Sequence, residues 1–129
     1  MNIHVVPAQF VDEVFPKCVD FFQRAIDKGN SNDIDIPYLL TQCRGGYALL
    51  FVNGTDRVEN AMIIRFEHPK IARVLVFGGE GGKDWIEEFK KFAPEIRPYA
   101  NKLVFHGRKG WERKIKELKV KSVLYEMDI

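Results

Sequence analysis

The chain has 129 residues, 46% of them hydrophobic and 29% charged, with a formal net charge of +2. That is the size and apolar content of a single domain over residues 1–129, and so small a charge demands neither specific nucleic acid nor an anionic membrane as partner. Two cysteines, Cys18 and Cys43, and three histidines, His4, His68 and His106, make no CxxC or His-x-x-x-His spacing, so neither a zinc site nor a disulfide framework is readable and no metal is expected. No secretory signal opens the chain and no run nears the ~18 apolar residues of a membrane helix, which predicts a soluble intracellular protein that is not secreted.

Ile3 to Val6 reads as a short strand ended by Pro7. Phe10, Val14, Phe15, Cys18, Phe21, Phe22, Ala25 and Ile26 then recur at helical spacing up to Gly29, with Pro16 kinking the helix or dividing it into two segments. Asp35 can cap a second, short helix through Tyr38, Leu39 and Leu40, closed by Gly45-Gly46. The period then changes to two. Tyr47 to Val52 and Val58 to Phe66 flank Asn53-Gly54, a hairpin signal, and His68-Pro69-Lys70 makes the next turn. Ile71 to Phe77 is the most apolar strand and is expected to be central. Trp85, Ile86, Phe89, Phe92 and Ala93 predict a helix broken by Pro94 and Pro98, and Leu103 to Phe105 a buried strand. A last helix carries Trp111, Ile115 and Leu118, and a terminal strand runs from Val120 to Met127. The order β-α-α-β-β-β-α-β-α-β predicts an α/β (α+β) domain whose mixed sheet of six to seven strands has helices on both faces.

The richest local signal is Phe77-Gly78-Gly79-Glu80-Gly81-Gly82-Lys83-Asp84-Trp85, a glycine-rich turn between an apolar strand and an amphipathic helix. Such a turn gathers backbone N–H groups and the positive end of a helix dipole at one point, where phosphate or carboxylate can sit. Its glycines are equally explained by a tight chain reversal.

This order of elements, with a glycine-rich turn after the fourth strand, resembles the GNAT N-acyltransferase fold over nearly the whole chain. The resemblance implies that Arg/Gln-x-x-Gly-x-Gly/Ala in that turn binds the pyrophosphate of coenzyme A while the strand's backbone pairs with pantetheine. On that reading Val76, Gly78, Gly79, Gly81, Gly82 and Lys83 bind acetyl-CoA, although Val76 stands where the family has Arg or Gln. The family's Tyr-x-x-x-Gly-Phe pattern after the fifth strand, whose tyrosine protonates the departing thiolate, falls on Ile115 to Val120, which carries neither tyrosine nor glycine. The chain is more closely similar to small bacteriophage proteins of GNAT-like fold, which show a Gly-Gly-x-Gly-x-x-x-Trp turn, here Gly78 to Trp85, and a Gly-Arg-x-Gly-Trp block, here Gly107 to Trp111.

Acyl transfer to an amine needs a base, an oxyanion donor and an acid for the thiolate. Glu67 and His68, at the end of the third strand, and His106, at the end of the fifth, are the base candidates, and backbone N–H groups near Val76 are the oxyanion donors. His68 is otherwise a turn residue, and Tyr125 is either a displaced acid or a side chain packed in the sheet. Arg108 and Lys109 can hold a phosphate or an acidic phage or host partner, or be exposed turn residues. The missing tyrosine and Arg/Gln predict a pseudoenzyme: a noncatalytic binding or virion-associated module in the host cytoplasm or the virion. The alternative is an acetyl-CoA-dependent N-acetyltransferase acting on an amine of a protein or small molecule.

Overall fold

In the computed structural model the described residues are 3–28, 34–54, 56–80, 90–106, 118–120 and 127–129. Strand β1 (Ile3–Val6) leads through two 3-10 turns and the short helix α1 (Val11–Val14) into α2 (Val19–Lys28). The long amphipathic run is therefore split in two. Pro16 sits in the second 3-10 turn, Phe15–Lys17, where its missing N–H breaks no α-helical bond. Helix α3 (Ile36–Arg44) starts at Asp35, whose carboxylate accepts from the Tyr38 amide at 2.8 Å, and ends before Gly46 at φ +76°.

The sheet has the order β1-β2-β3-β4-β5, with β2 (Leu49–Asn53), β3 (Asn60–Glu67), β4 (Ile71–Gly79) and β5 (Lys102–Phe105). The first three pairings are antiparallel and the last, β4 with β5, is parallel. The described residues thus hold five strands against the six to seven expected. The last expected helix and strand fall almost wholly outside them. Residues 90–96 are helical, so Pro94 lies inside that segment rather than ending it. Buried Ile96 then takes the Tyr99 and Ala100 amides on its carbonyl, closing the helix into a turn two residues later.

Each face of the sheet has its own core. On one side Val11, Phe15, Cys18, Phe22, Leu39 and Cys43 of the helical half pack on Leu50, Ala61, Ile63 and Val76. On the other, Ile96 and Ala100, with Phe92, cover Ile3, Phe51, Met62, Ile64 and Ala72. Among the described strands β3 is in the middle of the order, and β4, expected to be central from its apolar run, is interior too, between β3 and β5. Asn60 to Ile64 are all buried, whereas β4 buries Ala72 and Val76, one in each half. No helix among the described residues is long and apolar enough to cross a membrane.

Candidate functional site

Two irregularities of β4 shape the site. Ile63 pairs with Val76 and Ile64 with Val74, so Leu75 is an extra residue with no counterpart on β3. Such a bulge bends a strand and increases its twist. The ladder to β5 ends at the same place: Val74 faces Phe105, the last residue of β5. From Leu75 to Gly79, β4 runs on beyond β5 and into the glycine-rich turn, which leaves a parting in the sheet.

The end of β4 is held from three directions. At Gly78 the strand lies directly on α2, and a Cβ there would stand 2.5 Å from the Phe21 carbonyl oxygen. Gly79 has φ +138° and lies against the β2–β3 loop, where a Cβ would come within 2.6 Å of the Asn60 Cα. Glu80 donates its amide to the Glu59 carbonyl at 2.9 Å and accepts at its own carbonyl from Asn60 Nδ2. Asn60 Oδ1 in turn accepts from Asn53 Nδ2 at 2.8 Å. Asn60, only 3% exposed, thus ties together β2, β3 and the start of the turn. Arg57 reaches over to the Glu80 carboxylate at 3.1 Å, an exposed pair that holds the acidic side chain of the turn toward the loop.

On the α3 side of the sheet, toward the Ile71 end of β4, lies a charged cluster. Glu67 receives Arg65 Nη2 at 2.7 Å on Oε2 and Arg73 Nε at 2.9 Å on Oε1, while Arg65 Nη1 donates to the Tyr38 hydroxyl at 3.1 Å. Partial burial disfavours the Glu67 charge, but the hydrogen bonds from Arg73 and Arg65 outweigh it and hold the carboxyl below the usual carboxylate range. The Arg65 guanidinium is shifted upward, chiefly by its hydrogen bond to Glu67.

The structure separates the residues nominated from sequence. Glu67 is opposite Ile71, four residues and about 13 Å of strand from Leu75, and is bound up with two guanidiniums. His68 is exposed in the β3–β4 turn, at the far end of β4 from the glycines, next to a cis bond to Pro69. His106 is exposed and directly follows Phe105, which places it beside the parting. The Val76 side chain is 8% exposed and part of the α-helical core, so its backbone alone faces outward. Gly78 and Gly79 open the turn. Gly81, Gly82, Lys83, Arg108, Lys109 and Tyr125 lie outside the described residues. No group of three or more His, Cys, Asp or Glu among the described residues could hold a metal ion. Asn60, Arg57, Arg65 and Arg73 escaped sequence reasoning; for the last two the available signal was a charge at alternate positions of otherwise apolar strands.

This architecture, a β-meander whose fourth strand bulges and parts from a parallel fifth strand, is a GNAT-like fold. No protein-family model matches the chain, and no curated relative does. Solved structures do. An aminoglycoside acetyltransferase from an uncultured soil metagenomic sample, in complex with sisomicin, superimposes with a TM-score of 0.62 at 14% identity, over 98% of this chain and 95% of that one. A predicted acetyltransferase from Clostridium acetobutylicum, with acetyl-CoA, matches at 0.60 and 11% identity, over 98% and 95%. The ribosomal-protein-alanine N-acetyltransferase of Brucella melitensis biovar Abortus matches at 0.58 and 15% identity, over 99% and 96%. At such identities the likeness establishes the fold alone.

Proposed function

We propose that the chain is an acyl-CoA-dependent N-acyltransferase acting on an amine, with acetyl-CoA as donor. The observation that supports this most is the parting of β4 from β5 at Val74, bulged at Leu75 and leading into the glycine-rich turn. The acetyl-CoA-bound neighbour of the same fold adds weight to the choice of donor. The extended backbone past Leu75 offers donors and acceptors to an elongated amide such as pantetheine, and the turn offers N–H groups of Gly81, Gly82 and neighbours, with Lys83, to pyrophosphate. Transfer forms a C–N bond and breaks the C–S bond of the thioester. The acceptor ammonium gives one proton to the base before attack, the carbonyl oxygen gains negative charge in the tetrahedral intermediate, and as it collapses the sulfur leaves as thiolate and takes, through water, the second proton that the nitrogen loses in becoming an amide. Backbone N–H groups at Leu75–Val76 are the proposed oxyanion donors. His106 is the proposed base, being nearest the parting of the three candidates, with Glu67 too far along the strand and too weakly basic beside two guanidiniums.

A second reading, a noncatalytic phage-type module working through a host or virion protein by way of Arg108 and Lys109, draws support from the core valine at position 76 and from the engagement of Glu67. Calorimetric titration with acetyl-CoA, followed by thiol release with a panel of amines, separates the two. Saturable micromolar binding with turnover that falls at least tenfold in His106→Ala supports the acyltransferase; no binding at millimolar ligand overturns it and leaves the module.

A further inference from the structure

Among the described residues Asn60 is the one polar residue that is fully buried, at 3% exposed. Burying a primary amide is unfavourable unless both of its ends are matched, and here they are. Nδ2 donates to the Glu80 carbonyl, and Oδ1 accepts from Asn53 Nδ2 at 2.8 Å. A carbonyl can only accept, so the Glu80 contact decides which way the amide is turned. The register sets Asn53, Asn60 and Gly79 side by side across β2, β3 and β4. The Asn60 amide therefore ends on the residue with which the glycine-rich segment leaves the sheet. Every polar group of Glu80 is engaged on the β2–β3 hairpin: its amide on the Glu59 carbonyl at 2.9 Å, its carbonyl on Asn60, and its carboxylate on Arg57 at 3.1 Å. Gly79, with φ +138° and its backbone against Glu59 and Asn60, gives this arrangement little room to relax.

We propose, resting on the acyltransferase reading above, that Asn60 is a positioning residue for the donor. By holding the Glu80 carbonyl on the hairpin it sets the glycine-rich turn for the pyrophosphate of acetyl-CoA before the ligand arrives. In a trans peptide unit the carbonyl and the N–H point in opposite directions, so a carbonyl anchored on the hairpin commits the N–H of its own unit to the side left for the anion. A glycine-rich turn has many backbone conformations to lose, and an anchor at its start removes part of that loss from the binding step. Arg57, on the same hairpin, neutralises the Glu80 carboxylate and so lessens its repulsion of a phosphate. The effect belongs to the nucleotide half of the donor. On the parent reading the thioester and pantetheine lie against Leu75 and Val76, and Asn60 is three residues, about 10 Å of strand, from Ile63, the partner of Val76.

The test compares acetyl-CoA with S-acetylpantetheine, which carries the same thioester and pantetheine arm without pyrophosphate or nucleotide, in calorimetric binding to the wild-type chain and to Asn60→Ala. The wild type is expected to bind acetyl-CoA the more tightly. Asn60→Ala is expected to weaken acetyl-CoA about tenfold or more, the loss of one buried hydrogen bond, while S-acetylpantetheine stays within about twofold. Hydrogen exchange at the Glu80 amide supplies a reading that needs no variant. A ligand that binds only the anchored turn makes its opening rarer, so saturating acetyl-CoA is expected to slow this exchange about tenfold or more, with S-acetylpantetheine leaving it unchanged. The proposal is overturned if Asn60→Ala weakens both donors by the same factor, as a purely structural residue does, or binds acetyl-CoA as tightly as the wild type. It is also overturned if acetyl-CoA binds without slowing exchange at the Glu80 amide. Equal wild-type affinity for the two donors overturns it while leaving acyl transfer in place, whereas failure of acetyl-CoA to bind the wild-type chain overturns the parent reading as well.

Discussion

Replacing Gly78 by alanine isolates the packing role of the glycine-rich segment from any ligand role. Gly78 has ordinary strand dihedrals, without the positive φ of Gly79. Alanine would therefore stabilise the chain by about 0.4–1 kcal/mol through the unfolded state if there were room. There is none: the new methyl would stand 2.5 Å from the Phe21 carbonyl oxygen and 3.0 Å from its carbon, against a normal carbon–oxygen contact of about 3.3–3.6 Å. Relief requires α2 and β4 to move apart by most of an ångström, and Phe22 and Cys18, both fully buried, resist that movement. Such overpacking costs about 1–3 kcal/mol. The net expectation is a loss of about 1.3 kcal/mol, read as a fall of roughly 4–6 °C in melting temperature for a chain of this length. Thermal denaturation followed by circular dichroism measures it. A melting temperature unchanged or raised in Gly78→Ala would refute the close approach of helix and strand, and would return Gly78 to the list of residues kept bare for a ligand.

Three other outcomes are expected. Asn60→Ala leaves the Glu80 carbonyl and the Asn53 amide without their buried partner and should lower stability in urea by about 1–3 kcal/mol, with faster hydrogen exchange at the Glu80 amide; exchange at the wild-type rate would show that Asn60 does not hold the turn. Burial raises the Cys18 thiol from 9.0 to about 12 and the Cys43 thiol to about 11, so both stay protonated in the folded chain after the unfolded chain has lost its protons. Stability is then complete below pH 9 and falls above it, by up to about 1.4 kcal/mol per pH unit for each thiol, and Cys18→Ala should flatten the alkaline slope measured by denaturant titration. The depressed Glu67 carboxyl works in the opposite sense: its contribution is present above the unfolded carboxylate value of about 4.3 and disappears as pH falls through the lower folded value, so Glu67→Gln should be less stable at pH 7 yet lose less on acidification.

Periodicity carried much of the fold. The helical run of Phe10 to Ile26, its break at Pro16, the Asp35 cap and the change to period two were all local signals written in consecutive residues. What periodicity could not carry was pairing between distant segments. The apolar content of Ile71 to Phe77 pointed to a strand inside the sheet, where it lies, but no local signal in β4 or β5 records where the two separate. The site divides in the same way. The glycine turn was visible because its composition is unusual, and His106 because it ends a strand. Arg73 and Asn60 are placed by partners six and twenty residues away, Glu67 and Glu80, and by a sheet face that only the register assigns. The sequence blocks behind the bacteriophage resemblance, at Trp85 and Gly107 to Trp111, lie outside the described residues, and the structural neighbours speak to fold alone.

The extra residue at Leu75 acts on β4 as a shift of reading frame. Before it, even-numbered Ala72 and Val74 belong to the core under Ile96 and odd-numbered Arg73 faces α3; after it, even-numbered Val76 lies under the helices and odd-numbered Phe77 takes the opposite core. One strand is thereby read in two phases, the first putting a cation on the α3 face and the second a valine there, followed by a glycine bare enough for α2 to rest on. Deleting a single residue at this point would leave the composition almost untouched and restore a continuous ladder. Val76 would stay opposite Ile63, Phe77 opposite Met62 and Gly79 opposite Asn60, so both cores would keep their residues, and what is lost is the local bend and twist that the extra residue gives the strand. The bulge is therefore a device of strand shape more than of core packing, and its removal would be felt where β4 parts from β5.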